Sequence, residues 1–227
     1  MKKTFLIFTS ILFFCCGSSN KLTIEKHNDS RKTYSILALG DSYTIGESVC
    51  ETCRFPEQLK KHLENDNTIK LDIIAETGWT TSDLKLAITK KKPANNFDLV
   101  TLLIGVNNQY QKKPFALYKS EFPELVRTAI IKANNDKNKV IIISIPDYAF
   151  TPYGKERTQI SREINLYNAF AENYCKQNDI SFINITDITR QGIIEPNLVA
   201  NDGLHPSQIA YQKFVERLLP KAKEILK

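Results

Sequence analysis

Of the three histidines in this 227-residue chain, His205 alone stands where an imidazole could act as a general base. His27 lies in a polar stretch and His62 in a Lys/Glu-rich amphipathic segment, both settings that favour a solvent-facing ring. His205 belongs to the run Asp202-Gly203-Leu204-His205-Pro206. That spacing lets the Asp202 carboxylate hold one ring nitrogen while the other faces a nucleophile. Pro206 suits the first position of a following helix and keeps the residue before it out of the α region. His205 is therefore expected on a loop at a helix entrance, with its side chain free.

A base of this kind is what a serine needs, because a hydroxyl is a poor nucleophile at neutral pH until something takes its proton. The candidate is Ser42, in Gly40-Asp41-Ser42-Tyr43-Thr44-Ile45-Gly46. Acyl transfer to a serine also creates an oxyanion, and each donor aimed at it is worth about 3 kcal/mol. The backbone N–H groups of Ser42 and Gly78 and the side-chain amide of Asn107 could supply them. Gly78 falls in Glu76-Thr77-Gly78-Trp79 and Asn107 in Gly105-Val106-Asn107-Asn108-Gln109. Each residue also has an ordinary local role open to it: Ser42 as a helix N-cap, Gly78 as a turn glycine, Asn107 as a loop residue, Asp202 as an Asx-turn former. Convergence on one rim is what would separate chemistry from local structure.

The surrounding pattern predicts that convergence. Five apolar, β-branched runs read as strands: Tyr34–Gly40, Lys70–Ala75, Leu99–Gly105, Val140–Ile145 and Ser181–Ile185. Helical spacing predicts helices over Glu57–Glu64, Ser82–Lys90, Phe122–Asn134, Ile160–Gln177 and Ser207–Leu226. The third and fourth strands are nearly continuous Val/Ile/Leu, as a sheet covered on both faces requires. Strand–helix alternation implies right-handed crossovers and a parallel sheet, whose ligand crevice lies beyond the carboxyl ends of the strands. Ser42 follows the first strand, Gly78 the second and Asn107 the third.

These four blocks, in this order, resemble those of the SGNH (GDSL-type) hydrolases over about residues 34 to 227. The resemblance implies a three-layer α/β/α, flavodoxin-like domain with a parallel sheet of five strands. It implies Ser42 as nucleophile, His205 as general base and then acid, Asp202 as its orienter, and Gly78 with Asn107 as oxyanion donors beside the Ser42 amide. No metal or cofactor is implied. Two departures stand out: Asn108 occupies a place where Asp is common, and Tyr43 one where many members carry Leu. Asn108 is expected to support its loop differently without loss of activity. The expected reaction is hydrolysis of carboxylic esters, with small acyl groups such as acetyl on a carbohydrate preferred because no long apolar lid is visible. Tyr43, Trp79 and Tyr110 are candidate substrate-binding rings, and Tyr148 also follows a strand end. The alternatives are a lysophospholipase or thioesterase on the same site, or a non-catalytic glycan-binding module.

At the amino terminus, Lys2 and Lys3 precede an apolar run from Phe5 to Phe14. That is far short of the ~20 residues a membrane-crossing helix needs, so it reads as an export signal. With Cys15-Cys16-Gly17 it resembles a bacterial lipoprotein signal with Cys16 as the lipidated residue. The expected organisation is 1–16 signal, 17–33 polar tether and 34–227 hydrolase domain. The expected location is a cell-envelope membrane, periplasmic or surface, reached through the lipid anchor alone. Cys50-Glu51-Thr52-Cys53 allows a local disulfide or two free thiols, and Cys175, in an apolar helical stretch, reads as a buried small hydrophobe.

Composition fits one globular domain: 42% hydrophobic, 25% charged, with a mean hydropathy of −0.30. Thirty-one basic against 25 acidic residues leave +6, spread along the chain, which argues for solvated surface and against a nucleic-acid footprint. The one basic run, Lys90-Lys91-Lys92 before Pro93, suits a solvated helix terminus.

Overall fold

The computed structural model describes residues 31–227. The segment expected to be an export signal, with Cys16, and the expected tether up to Ser30, with His27, lie outside the described residues. Five strands, β1 (Thr33–Gly40), β2 (Thr68–Ala75), β3 (Leu99–Leu103), β4 (Val140–Ile143) and β5 (Ser181–Ile183), form one sheet in the order β2-β1-β3-β4-β5. Every pairing is parallel. The helices are α1 (Ser42–Ile45), α2 (Phe55–Leu63), α3 (Thr81–Lys91), α4 (Val106–Tyr110), α5 (Phe115–Lys132), α6 (Thr158–Gln177), α7 (Thr186–Thr189) and α8 (Gln208–Ile225). α2 packs against α8, while α5 packs against both α3 and α6. Helices cover both faces, and the result is the expected three-layer α/β/α domain.

The strands form because their side chains can be buried on both faces: Leu99 to Leu103 and Val140 to Ile143 are all buried. Three strands stop short of their predicted ends. Beyond β4 and β5, side chains take over the backbone hydrogen bonds: Asn168 Oδ1 accepts from Ile145 N, and Ser144 Oγ and Asn184 Oδ1 accept from Ile185 N and Thr186 N. After β3, Gly105 at φ 127° turns the chain directly into α4.

The main departure from the sequence pattern is α5, which begins at Phe115 although Pro123 lies inside it. An internal proline costs a helix about 3 kcal/mol or more. The offset is aromatic packing on the segment before it: Tyr118 lies 4.5 Å from Tyr167 and Phe115 4.9 Å from the same ring, centroid to centroid. At the last helix, Ser207 is the N-cap, its hydroxyl accepting from Ile209 N and Ala210 N. Pro206 is thus not the first helical residue. It lies ahead of the cap, bridged to Val199, so His205 still stands on the loop. Lys90 and Lys91 fall in the exposed last turn of α3. Among the described residues no helix is long and apolar enough to cross a membrane.

Candidate active site

Strand order reverses between β2-β1 and β3-β4, and the crevice beyond that switch point lies between the chain leaving β1 and the chain leaving β3. At the end of β1 the chain turns sharply into α1. A Cβ on Gly40 would sit 2.1 Å from Thr44 Oγ1 and 2.5 Å from Leu103 O, so only glycine lets this turn pack against β3. Asp41, not Ser42, caps α1: its Oδ1 accepts from Tyr43 N at 3.0 Å. Ser42 becomes the first helical residue, where the helix leaves a backbone N–H without an internal acceptor.

Asp41 itself is wholly buried, and its Oδ2 has no partner among the described residues. Burial pushes its carboxyl from 3.8 up to about 7, against the lowering effect of the Tyr43 N–H.

Gly78 has φ 86°, and a Cβ placed on it would meet nothing within 4 Å. Backbone conformation, not space, selects glycine there. Its carbonyl, part of the Gly78–Trp79 peptide, accepts from Gln111 Nε2 at 2.8 Å. Asn107 Nδ2 donates to Trp79 O at 3.0 Å, and an amide nitrogen carries a second proton. Behind it Asn108 is fully buried, with Oδ1 accepting from Thr81 N at 3.0 Å and Nδ2 donating to Thr81 Oγ1 at 2.7 Å. Asn108 thus clamps the loop after β3 to the start of α3.

On the other side of the crevice, Asp202 Oδ1 accepts from Leu204 N (2.9 Å) and His205 N (3.0 Å), while its Oδ2 lies 2.6 Å from His205 Nδ1. The local Asx-turn role and the ring-holding role are both fulfilled by one carboxylate. Since the ionised carboxylate only accepts, Nδ1 carries the proton and Nε2 is left as the acceptor. Burial tends to raise the Asp202 carboxyl, but hydrogen bonds from the Ser48 hydroxyl, the His205 ring and the two backbone amides hold it well below the usual carboxylate range. The Tyr43 ring packs on the imidazole at 5.2 Å between centroids.

Ser42, Gly78, Asn107 and His205 line a single cavity of 160 Å³ whose remaining walls include Tyr43, Val106, Tyr148 and Leu204. Ser42 Oγ and the His205 ring share it without a hydrogen bond between them among the described residues. Catalytic contacts of this kind commonly tighten only with substrate bound. The sequence-predicted residues are therefore brought together with one exception. Trp79 does not line the cavity but a neighbouring groove of 330 Å³ with Glu76, Asp83 and Leu86. Its carbonyl accepts from Asn107 Nδ2. Tyr110 does line the cavity, and its hydroxyl lies 2.7 Å from that of Tyr153.

Residues that sequence reasoning missed include Ser48, Tyr153, Thr77 and the apolar wall residues. Apart from Val106, which opens α4, they lie on loops, and only Leu204, between Asp202 and His205, carried a positional signal. A larger groove of 310 Å³ contains the Asp187–Arg217 ion pair and no nucleophile. His62 is exposed, Cys50 and Cys53 form a disulfide, and Cys175 is a buried free thiol. Among the described residues no group of His, Cys, Asp or Glu could hold a metal ion.

Residues 38–213 match the model of the GDSL-like lipase/acylhydrolase family. The chain belongs to that family and is a carboxylic ester hydrolase. Among solved structures, it is similar to the lipase/acylhydrolase from Enterococcus faecalis, at 20% identity over 84% of this chain and 96% of that one, with a TM-score of 0.65. A lipolytic protein of the G-D-S-L family from Veillonella parvula matches at 19% identity, 84% and 96% coverage and a TM-score of 0.63. An acetyl xylan esterase variant from Geobacillus stearothermophilus matches at 15% identity, 86% and 96% coverage and a TM-score of 0.61. At these identities the shared property is the fold. A comparison with curated protein sequences found no match.

Proposed function

We propose that the chain cleaves short acyl groups, such as acetyl, from a carbohydrate through Ser42, His205 and Asp202. The supporting observation is the single cavity that gathers Ser42, Gly78, Asn107 and His205, with Asp202 2.6 Å behind the ring. In this reading Ser42 Oγ adds to the ester carbonyl carbon as its proton passes to His205 Nε2. The oxyanion is met by the N–H groups of Ser42 and Gly78 and the free amide proton of Asn107. His205 then gives the proton to the departing alcohol oxygen, leaving an acyl-serine. Water, deprotonated by the same nitrogen, releases the acid and restores the hydroxyl. Asp202 stays ionised and fixes the ring.

The acyl preference rests on size. A 160 Å³ cavity is well below the about 300–1,000 Å³ of sites that enclose drug-sized ligands, and its walls are largely apolar. The carbohydrate preference rests on Tyr110 and Tyr153, 47% and 42% exposed, whose rings offer an apolar face and a polar rim to a sugar.

Folded protein should be labelled at Ser42 by a fluorophosphonate, and Ser42→Ala should lose turnover of p-nitrophenyl acetate. An unlabelled protein, or an undiminished variant, refutes the site. Faster turnover of lysophosphatidylcholine than of acetylated xylan refutes the substrate. Export and lipid attachment at Cys16 belong to the same reading, and fatty-acid labelling that persists in Cys16→Ser would count against them.

A further inference from the structure

The segment Gly46–Cys53, directly after α1, touches the site from two sides although it supplies none of the reacting groups. Ser48 Oγ donates to Asp202 Oδ2 at 2.6 Å, the same oxygen that holds His205 Nδ1. Its neighbour Glu47 accepts from the Thr77 hydroxyl, one residue before the Gly78 peptide. Ser48 is held at φ 65°, a left-handed conformation that a serine adopts only where its surroundings impose it. Those surroundings are visible: Arg54 donates to Ile45 O, tying the two ends of the segment together, and to the Glu51 and Glu57 carboxylates, while the Cys50–Cys53 disulfide locks its last four residues.

We propose that Ser48 is a positioning residue for Asp202, presented by a brace that Arg54 ties and the Cys50–Cys53 disulfide stiffens at its end, and that also steadies the Thr77–Gly78 peptide through Glu47. This rests on the triad reading above. Asp202 Oδ1 is already fixed by two backbone amides, which sets the position of the carboxylate. The Ser48 bond adds a second constraint, on the rotation of the carboxylate plane, and so keeps Oδ2 in line with Nδ1. Ser48 therefore aims the base.

The test is Ser48→Gly, with Ser48→Ala as a second variant. Glycine adopts φ 65° without strain, so Ser48→Gly removes the hydroxyl and relieves the backbone together. Fluorophosphonate labelling of wild type checks the underlying reading first: no label there refutes the triad, not the brace. With wild type labelled, kcat on p-nitrophenyl acetate should fall ~10-fold, the low end of what a hydrogen bond to a charged group is worth for a partly exposed pair. KM should stay within about twofold, the split expected when the base is misaimed and substrate binding is untouched. An unchanged kcat in both variants overturns the proposal. So does a drop in melting temperature with kcat and KM changing together, since that is what a merely structural loop residue would give.

Discussion

Asn108 stands where a carboxylate is common in this family, and its hydrogen bonds give a reason that stability measurements can test. Thr81 has one hydroxyl proton, which goes to Glu121 Oε2 at 2.6 Å. Its oxygen therefore needs a donor on the other side, and Asn108 Nδ2 provides it at 2.7 Å. In Asn108→Asp, an isosteric change, two acceptors face each other in a fully buried site. Thr81 must then turn its proton from Glu121 to the introduced carboxylate, or that carboxylate must bind a proton. The first costs one charge-assisted hydrogen bond, about 1.5–3 kcal/mol, and places a second carboxylate near Glu121. The second carries the cost of holding an acid protonated at neutral pH. The expected loss is about 3 kcal/mol in urea unfolding at pH 8. Burial and Glu121 both raise the folded-state pKa of the new acid, so the loss should shrink as pH falls towards 5 and the acid regains a proton to donate. Glu121→Gln should rescue it, because the new amide can donate to Thr81 while Thr81 donates to the carboxylate at position 108. The double-mutant cycle should show a favourable coupling of at least ~1 kcal/mol. A loss under about 0.5 kcal/mol at pH 8, or strict additivity of the two changes, would refute the proton accounting.

Two further perturbations follow from the same site. Asp41 has a folded-state carboxyl pKa raised to about 7, so folding favours its protonated form. Its contribution is greatest at low pH and is lost as pH rises from about 4 to 7. The unfolding free energy of Asp41→Asn minus that of wild type should therefore increase across this window by a few kcal/mol, and a pH-independent difference would show that Asp41 is not protonated in the fold. Reduction of Cys50–Cys53, or the paired Cys50→Ser and Cys53→Ser change, should release the brace and lower kcat several-fold while Ser42 remains labelled. An identical kcat in the reduced protein would mean that the disulfide does not hold Ser48 in place.

Periodicity and single-residue chemistry make much of this molecule legible before any coordinates. The five strands, their parallel order of appearance and the rim they share follow from apolar runs alternating with helical spacing; Ser42, Gly78 and Asn107 are singled out by the strand ends they follow, and Asp202 and His205 by their spacing and the proline and helix after them. The short helices at Ser42–Ile45, Val106–Tyr110 and Thr186–Thr189 escape such reading because four or five residues are too few to show a period of 3.6. Pro123 makes α5 look as if it starts only at Phe122, yet its local cost is overridden by aromatic contacts with α6, more than 40 residues away in sequence. Trp79 is expected in the site and lies outside it, because adjacency to Gly78 does not say which way a ring turns.

The residues that support the site share a different property. Ser48 reaches Asp202 across 154 positions, Glu47 accepts from Thr77 across 30, and Thr81 reaches Glu121 across 40. None has a local signature, since serine, threonine and glutamate on loops and helix starts are ordinary surface residues. They acquire a role only when the fold brings the chain after β1 beside the chain before α8 and the chain after β2, and the start of α3 beside α5. The proposed nucleophile, base and oxyanion donors are readable because residues of those types are rare in the required positions. The support is not, because its residue types are common and their meaning lies wholly in which distant partner they meet.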